Sequence, residues 1–121
     1  MMKKLLPFAL LIALFSCKKN KLGGDSSISG KVVHHSKPIP FARVFIKFNS
    51  KNFPGTDTTK YDDHVLADAD GNFSIKCYRG DYYLFGYGSD NAISPPKVTG
   101  GLPVKVHRKE DVKTDVPVTE D

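Results

Sequence analysis

Sulfur, long apolar runs and an excess of one charge are what this 121-residue chain has little of, and each shortage excludes a class of protein. Only two cysteines are present, Cys17 and Cys77, too few for a disulfide framework. The longest apolar run, residues 5–15, holds about eleven residues, whereas a membrane span needs roughly twenty. From position 28 onward no stretch of ten residues keeps a helical period, and there is no internal repeat or low-complexity segment. The formal charge of +5 also disappears on inspection. Lys3, Lys4, Lys18, Lys19 and Lys21 carry five of the eighteen basic groups, so residues 25–121 balance thirteen basic against thirteen acidic side chains. A neutral domain offers no cationic face to phosphates, which argues against nucleic acid as a partner.

What is there begins with Lys3 and Lys4, the apolar run, and small Ser16 ahead of Cys17, the pattern of an export signal. The ending Leu14-Phe15-Ser16-Cys17 resembles the lipobox of bacterial lipoproteins, with bulky Phe15 as a departure. That resemblance implies removal of residues 1–16 as a signal peptide and acylation of Cys17 by palmitate-type chains. Several chains together make attachment durable where one would not. Residues 17–27 then form the lipidated cysteine and a polar, Gly-containing tether, a coil of roughly 17 Å on average for ten such residues and about 35 Å at full stretch. Residues 28–121 are long enough for one domain with a modest core. Lys18, not aspartate, follows the acceptor cysteine, and no acidic cluster comes after it. By analogy with other lipoproteins, the expected location is the outer membrane facing the periplasm, in preference to the cell surface.

The domain reads as all-β. Residues 28–33 form a first strand, and residues 36–40 turn it into a second at 41–48, where Ala42, Val44, Ile46 and Phe48 share a face. Val65 and Ala67 lie on a third strand. Asp68-Ala69-Asp70-Gly71-Asn72 reverses the chain into residues 73–77, as Asp-Gly between strands does. Residues 82–87, 102–106 and 112–118 complete seven short strands, which suggests two packed antiparallel sheets.

The segments Ile28-Ser29-Gly30-Lys31-Val32-Val33, Pro38-Ile39-Pro40-Phe41-Ala42-Arg43-Val44, residues 68–73 and Gly80-Asp81-Tyr82-Tyr83-Leu84 are similar to those of carboxypeptidase regulatory-like domains. The likeness implies a seven-stranded Greek-key β-sandwich of the transthyretin (prealbumin) type, found as a non-catalytic module beside peptidases, in outer-membrane receptors and in small lipoproteins of Bacteroidetes-type bacteria. Turn and core signatures of this kind specify a fold more than an activity.

Catalytic residues are not expected. Tyr78-Arg79-Gly80 resembles part of the Tyr-Arg-Gly-Ser ending of hydroxyisourate hydrolases, but Asp81 stands in the fourth place and forty residues follow it. His34, His35, His64 and His107 are scattered along the chain. Asp68, Asp70 and Asn72 have the spacing of calcium-loop ligands. Gly71 nevertheless precedes Asn72, and Cys77 stands where the loop needs glutamate, so a hairpin turn is expected. Asp62-Asp63-His64 reads as surface polarity at a strand entrance. His34-His35 reads as a pair of polar edge residues sent to opposite faces by strand alternation. Arg79-Gly80-Asp81 matches an integrin-binding tripeptide and also an ordinary turn. No metal and no cofactor are expected, and Cys77 is expected to be a small buried residue.

If Tyr82 and Leu84 face the core, Tyr83, Phe85 and Tyr87 point outward, an aromatic strip suited to a protein interface or to sugar stacking. Residues 49–60 form a connection longer than a hairpin requires, with Phe53 as its candidate contact. The expected function is that of a lipid-anchored, non-catalytic interaction or structural accessory protein of the envelope, a monomer with a protein partner. The alternatives are a carbohydrate or small-ligand binder and, third, a hydroxyisourate hydrolase-like enzyme.

Overall fold

The computed structural model describes residues 22–120. Alternation builds the first sheet. In β5 (Asn72–Cys77) Phe73, Ile75 and Cys77 are buried, while Asn72, Ser74 and Lys76 are exposed. Its antiparallel neighbour β1 (Leu22–His34) buries Ser26, Ile28, Val32 and His34 on the same inner side. The short β2 (Lys37–Pro38) pairs with the end of β1 through a two-residue turn.

A second antiparallel sheet runs in the order β4-β3-β6-β7, comprising β4 (Asp63–Leu66), β3 (Arg43–Phe48), β6 (Gly80–Ser89) and β7 (Lys97–Val106). Val44 and Ile46 of β3, Tyr82 and Leu84 of β6, and Val98, Val104 and Val106 of β7 meet Ile28, Val32, Phe73 and Ile75 of the first sheet in one apolar core. The fold is therefore all-β, with two antiparallel-dominated sheets.

Nine strands are present among the described residues, two more than the seven expected. One extra is β2. The other arises because residues 112–118 do not form a single strand: β8 (Asp111–Lys113) and β9 (Val116–Pro117) both lie parallel to β1, with a break between them. At that break the chain presses against Gly30, where a Cβ would collide with the Thr114 carbonyl oxygen. The Lys31 amide donates instead to the Asp115 carboxylate at 3.0 Å. Gly100 admits the next stretch in the same way, since a side chain there would strike the Pro117 carbonyl. Thr119 then bridges to Thr99 of β7, so the C-terminal segment joins the two sheets.

The first strand begins at Leu22, six residues ahead of the expected boundary at Ile28. Leu22 and Ser26 both oppose Cys77, with an irregularity in register between them. The Tyr78 ring lies over Gly23 and Gly24. A Gly-Gly pair reads as a linker, yet its bare backbone is what an aromatic ring can cover. The remainder of the expected tether, the signal segment and the acceptor Cys17 lie outside the described residues.

Candidate functional site

The two outer faces differ. That of the first sheet carries Ser27, Ser29, Lys31, Ser74 and Lys76, whereas register places aromatics across the second. One row there runs Leu66, Arg43, Tyr87 and Thr99, the next His64, Phe45, Phe85 and Gly101, and the third brings Lys47 beside Tyr83 and Pro103.

The strip is only partly open. Residues 49–62 fold back over it, which places Phe53 5.7 Å from Tyr83 and 5.8 Å from Phe85 between ring centroids. Tyr61 stacks on Phe85 at 5.6 Å and lies 6.0 Å from Phe45. Polar bonds fix this cover. The Tyr61 hydroxyl donates to the Gly55 carbonyl at 2.8 Å. Asp57 accepts from the Thr59 amide and opens a 3-10 turn at Thr58–Lys60. Asp62 accepts from the Phe48 amide at 2.6 Å. Burial, with the Tyr83 hydroxyl as a minor contributor, pushes the Tyr61 phenol up to about 12.

Phe85 faces outward in that row but is not open to solvent: it is 2% exposed, because the long connection supplies the rings that cover it. Tyr83 is half-buried, whereas Tyr87 (41%) and Phe53 (52%) remain open. Leu66 (60%) was not among the expected site residues, although it shares a row with Tyr87. Only the pairing of β3 between β4 and β6 reveals that relation. The open surface is thus Leu66 and Tyr87 on either side of exposed Arg43, with Phe53 farther along the strip.

A polar cluster lies at the end of β1, and sequence reasoning missed it. His34 is on the inner face and buried; its Nδ1 is 2.6 Å from Asp90 Oδ2, and its Nε2 bonds to Glu120. Asp90, also buried, accepts from Lys37 Nζ at 2.7 Å and from the Ala92 amide at 3.0 Å. Asp90 raises the imidazole above its ordinary value, burial opposes it and Glu120 assists. Lys37 first, then His34, hold the Asp90 carboxyl well below the usual range.

His34 and His35 do not point apart. Both His35 (φ 53°) and Ser36 (φ 69°) are left-handed, as a two-residue type I′ hairpin requires, and the turn swings the His35 ring to 4.2 Å from that of His34. Strand alternation ends at His34 and cannot be carried into the turn. The signal for the buried imidazole was available in the alternation of Ile28, Val32 and His34. Asp90 and Glu120, 56 and 86 residues away, left none.

The other candidates stay separate. Asp68 Oδ1 accepts from the Asp70 and Asn72 amides, each at 2.9 Å, and so tightens the hairpin turn before β5. Asp81 pairs with Lys105 at 3.7 Å, and His107 with Glu110 at 3.0 Å. His64 lies against Phe45 at 5.4 Å. Cys77 is buried, and burial pushes its thiol up. No helix among the described residues is long and apolar enough to cross a membrane. Compared with models of known protein families and with the curated proteins, the chain matches none.

Proposed function

We propose that this chain is a lipid-anchored envelope protein, held at a membrane through Cys17, whose domain is a non-catalytic interaction module of the carboxypeptidase regulatory-like type with transthyretin-like, Greek-key connectivity. The observation that carries the interaction reading is the row in which exposed Leu66 and Tyr87 flank Arg43 on the outer face of the second sheet. Two large apolar side chains around a cation suit the core of a protein contact, where aromatic rings and arginine are enriched. The polar face of the first sheet lacks such a row and serves as the internal comparison. The partner is a protein of the same envelope, met while the domain stays within reach of its membrane.

A photo-crosslinking residue placed at Tyr87 in the full-length, membrane-inserted chain tests this. Capture of one discrete partner from Tyr87, and none from Lys76 on the opposite sheet, supports the reading. Equal labelling from both positions, or none from either, rejects it. Metabolic labelling with a palmitate analogue tests the anchor separately, and the label should disappear in Cys17→Ser.

A second reading, carbohydrate binding, draws on the half-exposed Phe53 ring beside the Tyr83 ring. Glycan-array binding abolished by Phe53→Ala, with no crosslinked protein at Tyr87, would select it.

A further inference from the structure

Among the described residues, one group of histidine and carboxylate side chains has the composition and spacing of metal ligands: His34, His35 and Glu120, whose ligand atoms all lie within 4.8 Å of one another. We propose that these three residues bind a divalent first-row transition cation of the zinc class, which clamps the segment after β9 to the turn after β1. Two imidazoles and one carboxylate form a recognised zinc donor set that leaves a further position for water. Imidazole nitrogen directs the site towards zinc, copper or nickel and away from calcium and magnesium, which take oxygen ligands.

The surroundings supply what such a site needs beyond its ligands. A metal-bound histidine almost always donates its other ring N–H to a carboxylate or carbonyl, which fixes the tautomer and aims the free nitrogen. Here Asp90 Oδ2 stands 2.6 Å from His34 Nδ1 and is itself held by Lys37 and the Ala92 amide. His34 Nε2 is thereby aimed at Glu120. On binding, Nε2 gives up its proton to water and its lone pair takes the cation, while Nδ1–H stays on Asp90. Glu120 is placed by the Thr99–Thr119 bridge, whose two backbone bonds are 2.9 and 2.8 Å.

Geometry requires only a modest adjustment. With zinc–ligand bonds of about 2.0–2.2 Å, tetrahedral ligand atoms are about 3.3–3.6 Å apart, so Glu120 must draw back from His34 Nε2 as the cation enters between them. His35 Nε2 is 4.0 Å from Glu120 Oε1, and both side chains are exposed enough to change rotamer. Glu120 also lines a hollow of about 240 Å³ with Ile93, Ser94, Pro95 and Lys97, which gives its carboxylate space to change rotamer.

The turn adds an independent observation. Type I′ hairpins favour Asn-Gly, since both central residues need positive φ. This chain places His35-Ser36 there. Phe41, Asn49 and Lys109 are left-handed as well, so what bears on the site is where the turn puts the His35 ring and not the conformation itself. The left-handed turn brings the second imidazole back beside the first.

The test is a zinc titration of the full-length, detergent-solubilised chain after chelator treatment, read by calorimetry and by X-ray absorption at the zinc edge. We expect one zinc per chain with imidazole and oxygen scattering, affinity lowered at least about 10-fold in Glu120→Gln and His35→Asn, and no change in His64→Asn or His107→Asn. At equal zinc concentration the thermal midpoint of the parent chain should rise by more than that of His35→Asn. Asparagine suits the turn, so His35→Asn keeps the hairpin, and an unchanged urea midpoint without metal checks this. Absence of saturable zinc binding overturns the proposal. So does binding indifferent to both ligand variants, an equal loss in His64→Asn or His107→Asn, or sulfur scattering from cysteine.

Discussion

The Tyr61 ring lies nearly parallel to that of Phe85, 5.6 Å between centroids with 19° between planes, so a residue from a connecting loop closes the outer face of a strand that the sequence alone leaves open. Phe85 belongs to a small second apolar cluster on the far side of the sheet from the main core.

That placement separates two neighbours on one strip. Phe85→Ala should destabilise by about 3–5 kcal/mol, as truncation of a buried aromatic does. Tyr87→Ser, at the open end, should stay within about 0.5 kcal/mol. Urea unfolding of both variants checks this, and equal losses would mean that the loop covers the whole strip.

Alkaline pH should loosen the loop before the rest of the protein. Burial raises the Tyr61 phenol from 10 to about 12 in the folded state, so its unfolded form loses a proton first. The stabilisation is complete below 10 and is lost as pH climbs towards 12. Tyrosinate absorbance with and without Tyr61→Phe checks this: the variant should lose a late-titrating phenol that the parent chain shows.

Gly30→Ala should destabilise by about 1–3 kcal/mol, because the added methyl meets the Thr114 carbonyl where β8 passes into β9. Hydrogen exchange should locate the damage. The amides of Thr114 and Val118, which donate to Ser29 and Val33, should exchange faster than those of β6.

Ser36→Gly should stabilise the fold by about 1 kcal/mol, since serine sits at φ 69° where glycine has no steric cost. A raised urea midpoint is the expected result. A lowered one would show that the Ser36 side chain contributes something that the backbone argument overlooks.

Local chemistry was legible in the sequence. The burial of Phe73, Ile75 and Cys77 follows from period two, and the reversal at Asp68-Ala69-Asp70-Gly71 follows from turn chemistry. What pairs with what was not. Nothing local indicates that Val116 lies beside Val32, or that the pairing is parallel, because that choice depends on how the chain returns after β7. The same holds for Tyr61 over Phe85. Outward direction was legible in the alternation, while exposure was decided by a loop in which the sequence singles out Phe53 but not Tyr61. The His34, Asp90 and Glu120 cluster was hidden for a related reason: its members come from three distant segments.

The parallel ribbon formed by β8 and β9 has an implication for the chain's behaviour outside its folded state. It shields one flank of β1 along Ser27–Ser29 and Val32–Val33. Clipping the chain ahead of Asp111 would strip that flank and bare a run of amides beside the apolar side chains of Ile28 and Val32, the kind of margin along which identical molecules zip into filaments.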